Sequence, residues 1–387
     1  MGKKQLLIIG AGPYGLATAA YAKHRGLDFL LLGEPMGFWK HHMPKGMFLR
    51  TSIREHLDPL NIHTFNSFIE EKGITKKEAN PIPVELFLDY AQWFRAEAGI
   101  QAELSFVSEL RSIDGVFEAR LDNGRSIFAE NVLIAPGFRH FMNIPQDIIS
   151  DIPANYYSHT CELVKFDSLK EKRCLIIGGR QSAFEWAALI SEQSGTEIHI
   201  SHRHDTPKFE RSNWLWVNRM VRSTTDIRGW YRQLTSDERQ AIWQRFWAAG
   251  RVKLEPWLGL RIEKSNIKLW PNSKVVSCKE SSGGQILVKL DTCKSLNVDH
   301  VILATGYRVN VSNLPFLSKE NLLPSLHVED GFPVLDEDFQ SSIPGLFFTS
   351  ITSTRDFGPF FGFLFGCPAA AKIIIHKIEE EPNDRRP

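Results

Sequence analysis

The sequence predicts an α/β fold in which one β-turn-α-β unit occurs twice. An apolar run over residues 5–9 breaks at Gly10-Ala11-Gly12-Pro13-Tyr14-Gly15; an Ala-rich helix over 16–24 and a strand over 28–32 follow. The same order returns at Cys174 to Ile177, the turn Gly178-Gly179-Arg180-Gln181-Ser182-Ala183, a helix over 184–194 and a strand over 197–201. Two more apolar runs, Asn131 to Gly137 and His300 to Gly306, also stop at glycine. Unbroken apolar runs of this length read as strands covered on both faces, the habit of parallel sheets.

The remaining segments have their own patterns. Residues 104–128 and 276–297 alternate apolar and polar and carry turn residues at 122–124 and 281–284, as antiparallel meanders do. Residues 206–262 read as helical, hold six of the ten Trp, and have more Lys and Arg than Asp and Glu. Three readings of that stretch compete: a helical subdomain with Trp in its core, the wall of a substrate pocket, or an amphipathic surface for a membrane or a quinone.

Each residue of the first turn has a physical task. Gly10 permits the tight turn, Gly12 lets backbone approach a pyrophosphate, and Gly15 lets helix and strand pack closely. The helix N-terminus adds unpaired N–H groups and partial positive charge. Glu34, at the end of the second strand, is placed to accept hydrogen bonds from ribose hydroxyls. Together these predict a dinucleotide site. In the second turn Arg180 stands in the middle glycine's place and Ala183 in the last. Either the Arg180 side chain swings out and pairs with a phosphate, or the site is degenerate. The next strand ends in Ser201-His202-Arg203-His204 with no acid, which suits a 2′-phosphate and so NADPH.

Composition narrows the function classes. Lys and Arg number 46 against 45 Asp and Glu, a net charge of +1, and 43% of residues are hydrophobic. Near-neutrality argues against a dedicated nucleic-acid binder, and the hydrophobic content argues against disorder. The five cysteines form no CxxC, so a disulfide framework, a zinc ribbon and a dithiol redox centre lose support. The chain shows no secretory start and no apolar stretch near the roughly 20 residues of a membrane span. The expectation is a soluble, cytoplasmic protein.

These features together resemble the class B flavin-dependent monooxygenases, two-dinucleotide-binding-domain flavoproteins, and within them the lysine/ornithine N-hydroxylase-like branch. Gly37-Phe38-Trp39 is similar to a Gly-x-Trp beside FAD, and Met47 to Ser52 to the stretch running past the flavin. Ile82 to Tyr90 resembles the helix that follows, Gly179 to Glu185 the NADPH turn, and Ala304-Thr305-Gly306-Tyr307 the late signature. The chain departs from the pattern where Arg50 stands for Gln, where Arg180 stands for Gly, and around His159, whose Phe-x-Gly-x-x-x-His fingerprint is only partly present.

The resemblance implies two Rossmann-like domains: an FAD domain over 1–165 and 299–387, and an NADPH domain over 166–298 with the helical insertion at about 206–262. It implies FAD contacts at Gly10, Gly12, Pro13, Tyr14, Gly15, Glu34, Gly37, Trp39, Arg50, Val107, Ala135, Asp356, Gly358 and Pro359. It implies NADPH contacts at Gly178, Arg180, Gln181, Ser182, Ser201, Arg203, Thr305 and Gly306. Arg50 and His159 are the candidate catalytic side chains. No metal site is expected, because His41 and His42 are adjacent and point to opposite sides of an extended segment. The implied reaction moves a hydride from NADPH to FAD, then one oxygen atom of O2, through a flavin C4a-(hydro)peroxide, onto N or S of a small metabolite. Two alternatives stand beside it: an FAD-dependent NAD(P)H:acceptor oxidoreductase of quinone type, and a flavin-binding protein that has lost catalysis.

Overall fold

The computed structural model describes residues 2–251, 253–281, 283–317 and 321–380. The run Lys4–Ile9 (β1) is hydrogen-bonded on both sides, in parallel, by Phe29–Leu32 (β2) and Ser126–Ile134 (β5). A central position of this kind explains why Leu6 to Ile9 are all apolar and buried. Pro13–His24 (α1) starts with proline at its first position, and residues 14–22 are all buried. Cys367–Glu380 (α9) packs along its other side, so an amphipathic pattern is neither needed nor present.

The meander expected over 104–128 is Val107–Ile113 (β3), Val116–Leu121 (β4) and the first half of β5, all antiparallel. The second half of β5 changes partner and pairs in parallel with Leu346–Phe348 (β14). The sheet order is β2-β1-β5-β4-β3, with β14 beside β5.

The second sheet is parallel throughout. Arg173–Ile177 (β7) lies between Glu197–Ser201 (β8) and His300–Leu303 (β13). Ile267–Trp270 (β9) and Tyr157–His159 (β6) close its two edges. Between β7 and β8 runs Gln181–Ile190 (α4). The boundaries expected at 165 and 299 do not follow the hydrogen bonding. β6 and β13 pair with the second sheet, His300 opposite Cys174 and Val301 opposite Tyr157, so both belong to the second unit. The apolar run before Gly306 is like the one before Gly137 because each flanks the first strand of its own unit, which pattern alone does not reveal.

Val275–Glu280 (β10), Ile286–Leu290 (β11) and Ser295–Val298 (β12) form the second expected meander. The helical insertion lies between β8 and β9: Leu215–Asp226 (α5), Trp230–Gln233 (α6), Ser236–Arg251 (α7) and Trp257–Ile262 (α8). Residues 208 and 209 pair in parallel with 253 and 254 and close its neck. Trp214 and Trp216 meet Phe246 at 5.3 and 6.4 Å between ring centroids, so part of the Trp content is core. Among the described residues no helix is long and apolar enough to cross a membrane.

Candidate cofactor sites and the joint between them

Ligands of open parallel sheets bind at the carboxyl ends of the strands, and both glycine turns lie at such edges. At Gly10 the backbone is left-handed (φ +108°), and a Cβ would lie 2.2 Å from the Ala135 carbonyl oxygen. At Gly15 a Cβ would lie 1.8 Å from the Gly10 carbonyl oxygen. Gly12 differs, for a Cβ there would meet nothing within 4 Å. Protein packing accounts for the first and third glycines, and open space for a ligand accounts for the second. The turn therefore fits a dinucleotide phosphate at the N-terminus of α1.

The other residues expected at FAD divide into those that face this edge and those that do not. Ala135 donates its N–H to the Ile9 carbonyl at 2.9 Å and so fixes the end of β5 beside Gly10. Glu34 follows β2; its carboxylate pairs with His41 (2.8 Å) and Lys40 (3.5 Å) of the short helix Gly37–His41 (α2). Gly37 abuts Glu34, and Trp39 packs on Phe87 of the helix Val84–Glu97 (α3), ring centroids 4.8 Å apart. Val107 is buried at the start of β3. Tyr14 turns inward: its hydroxyl bonds the carbonyls of Phe361 and, at 3.0 Å, Phe363. Burial, with Cys367 nearby, holds that phenol well above its usual range, so only the Tyr14 backbone is offered to a ligand. Asp356 accepts the N–H of Leu335 at 3.0 Å and pairs with Arg232 of the insertion at 3.6 Å. Gly358 is left-handed (φ +94°) against Phe360 and Tyr231, with Pro359 next to it. Thr349 and Ser350 escaped the sequence reading. They follow β14 at the same edge; the Thr349 hydroxyl is buried with no hydrogen-bond partner among the described residues, and Ser350 is left-handed at φ +65°.

The two side chains expected to be catalytic are both engaged elsewhere. Arg50 donates through Nε to Glu255 (3.1 Å), through Nη1 to the Gly250 carbonyl (3.0 Å), and through Nη2 to Ser212 and the carbonyls of Ala249 and Lys253. Its guanidinium fastens the insertion to the first unit. His159 is fully buried: Nε2 donates to the Gly306 carbonyl (3.0 Å) and Nδ1 accepts from the Cys161 N–H (3.1 Å). Burial lowers its pKa, so the neutral ring is a strut between β6 and the turn after β13.

The second turn repeats the first in its packing. A Cβ at Gly178 would lie 2.5 Å from the Ala304 carbonyl oxygen, the counterpart of Gly10 and Ala135. Thr305 and Gly306 continue that turn and are tied to Asn143: the Thr305 hydroxyl donates to its carbonyl (2.5 Å), and its N–H donates to Gly306 (2.9 Å). Gln181 hydrogen-bonds Glu185 and accepts the Glu255 N–H (3.3 Å), while Ser182 is exposed. The Ser201 hydroxyl is buried and donates to the Ser273 carbonyl at 3.0 Å, so it is a packing group rather than a phosphate ligand. Arg203 is exposed at the end of β8, between His202 and His204. The absence of an acid from residues 201–204 and this outward arginine fit a 2′-phosphate.

The family described as pyridine nucleotide-disulphide oxidoreductase matches residues 7–226, more than half of the chain. The chain belongs to that family. It is 23% identical over 382 residues to an uncharacterized CzcO-like oxidoreductase of Geobacillus kaustophilus, covering 96% of this chain and 97% of that one. It is 26% identical over 366 residues to an indole-3-pyruvate monooxygenase of Arabidopsis thaliana, covering 85% and 80% of the two chains. Its fold matches the ornithine N-hydroxylase of Kutzneria sp. 744 with a TM-score of 0.81 at 16% identity, over 98% of this chain and 99% of that one. Family and fold make the protein a pyridine-nucleotide oxidoreductase with two dinucleotide-binding units.

Proposed function

We propose that the protein is a monooxygenase that places one oxygen atom of O2 on a nucleophilic nitrogen or sulfur of a small metabolite. The observation that carries this reading is the pairing of two unlike dinucleotide edges without a dithiol. The first edge ends in Glu34 and the second in Arg203, and all five cysteines are free, four of them buried. Electrons entering from a nicotinamide therefore have no cysteine pair to leave by. The names of the Kutzneria hydroxylase and the Arabidopsis monooxygenase support oxygen transfer.

FAD, when bound, would supply the redox chemistry: hydride acceptance from NADPH and activation of O2. The chain's own residues bind, orient and exclude water. The open turn at Gly12 and the N-terminus of α1 receive the FAD diphosphate, and Glu34 its adenosine ribose. Arg203 selects the 2′-phosphate of NADPH. The insertion is fastened to both units where they meet, through Arg50 and Glu185. No side-chain acid or base is assigned, because the buried His159 has both ring nitrogens occupied.

A reductase that hands electrons to an apolar acceptor is the second reading, favoured by Leu215, Ile227 and Leu260 of the insertion region, which are 57%, 50% and 85% exposed. Both readings are separated by supplying isotope-labelled O2 with candidate amines, thioethers and quinones while NADPH consumption is followed. Label in a hydroxylated or S-oxidised product supports the monooxygenase. NADPH consumption that rises only with quinone, with no labelled product, overturns it.

A further inference from the structure

Arg180 occupies, in the second turn, the position that Gly12 has in the first. It is the N-cap residue of α4, with extended backbone (φ −111°, ψ −176°), so the turn itself does not require glycine there. Its guanidinium lies over the indole of Trp247 in α7, 4.0 Å from the ring centroid. Trp247 is stacked in turn on Trp243, 5.8 Å between centroids and 28° between planes. A guanidinium laid on an indole is held by its face, while its N–H bonds radiate within its own plane. A guanidinium can place two parallel hydrogen bonds on phosphate oxygens.

The surroundings fix this arrangement. Next to Arg180, Gln181 accepts the N–H of Glu255 from the insertion, and Glu185 bonds Trp257 of α8 at 3.2 Å. The first turn of α4 is thus bound to residues 247–261 through several contacts. On its other side a Cβ at Gly179 would lie 2.4 Å from the His204 ring, so the turn is pressed against the basic end of β8. A dinucleotide at such an edge puts its adenosine ribose at the strand end and its diphosphate at the helix N-terminus. Arg180 stands at the second of these places.

We propose that Arg180, held on the Trp247 ring, is the diphosphate ligand of the nicotinamide dinucleotide, which makes the helical insertion part of the cofactor site. The inference rests on reading the second turn as the NADPH turn, but not on the oxygenation chemistry. It is tested by calorimetric titration of the oxidised FAD-loaded enzyme with NADP+, ADP-ribose and adenosine 2′-monophosphate. Arg180→Ala and Trp247→Leu should each weaken NADP+ and ADP-ribose about tenfold or more, as expected for a lost charge-assisted pair. Adenosine 2′-monophosphate, which lacks the diphosphate, should bind these variants as it binds the native protein. Trp247→Phe keeps a ring under the guanidinium and should restore most of the ADP-ribose affinity. The proposal is overturned if Arg180→Gly, which recreates the first turn's glycine, binds ADP-ribose as tightly as the native chain. It is also overturned if adenosine 2′-monophosphate is lost in step with ADP-ribose, since the arginine would then be a structural brace. A native enzyme that binds none of the three probes would remove the NADPH reading itself.

Discussion

The carboxylate of Glu185, on the first helix of the second dinucleotide unit, accepts the backbone N–H of Phe48 in the first unit at 3.2 Å. The same carboxylate receives Gln181, the indole N–H of Trp257 at 3.2 Å and Arg261 at 3.5 Å, and Glu185 is 1% exposed. Burial raises its pKa, and these donors work against that rise. One buried acid thus joins two domains and the insertion. Glu185→Ala would leave the N–H groups of Phe48, Trp257 and Gln181 without this acceptor and Arg261 with Glu192 alone of its two acids, and should cost about 3 kcal/mol. Glu185→Gln keeps an acceptor and should cost about 1 kcal/mol. Urea unfolding of the two variants checks the order; equal losses would show that the contact to Phe48 and Arg261 is immaterial.

Arg50 supports the same joint from the other side. Its donors reach Glu255 and the carbonyls of Ala249, Gly250 and Lys253, and its side chain is 16% exposed. Arg50→Ala should therefore loosen the insertion and destabilise the protein by about 2–4 kcal/mol. Limited proteolysis should cut within 206–262 markedly faster than in the native chain, while the absorption spectrum of bound FAD stays unchanged. A shifted flavin spectrum with native protease resistance would return Arg50 to the flavin.

Most of the architecture was legible because period and punctuation were strong. The apolar runs at 5–9 and 174–177, their glycine turns and the two meanders sit where the pattern puts them. Site roles were less legible, for a physical reason. A glycine that meets a carbonyl oxygen at 2.2 Å, such as Gly10, and one that meets nothing, such as Gly12, are the same letter. Arg50, His159 and Ser201 carry chemistry-bearing side chains, yet partners distant in sequence have engaged their donors: Glu255, Gly306 and Ser273 respectively. Assigning β6 and β13 to a sheet likewise needed the register, since an apolar strand does not name its neighbour.

Arg203 tests the nucleotide preference directly. It is exposed at the end of β8 and flanked by His202, whose Nδ1 bonds the His204 carbonyl at 2.8 Å. Burial lowers the His202 pKa and so works against positive charge on that ring, while the Arg203 guanidinium has the geometry that suits a phosphate dianion. Arg203→Ala should raise the KM for NADPH about tenfold, the loss of one charge-assisted pair, and change the KM for NADH less than twofold. Flavin reduction rates with each nucleotide make the comparison; parallel losses would refute the 2′-phosphate assignment.

Glu55 gives a pH-dependence. It is half-buried between the segment that follows Arg50 and α5 of the insertion, where Asn218 hydrogen-bonds it and Arg54 lies nearby. Burial outweighs both and pushes its pKa up to about 7 from 4.5. The folded chain thus holds this proton more tightly than the unfolded chain. The resulting stability is full below about pH 4.5 and is lost as pH rises through 7. Glu55→Gln fixes the uncharged form, so it should match the native protein at pH 4.5. At pH 8 it should exceed it by about 1–2 kcal/mol, less than the whole shift implies because part of the side chain still meets solvent. Urea midpoints at the two pH values read this difference. An advantage for the glutamine that is the same at both would mean that it comes from packing and not from the proton.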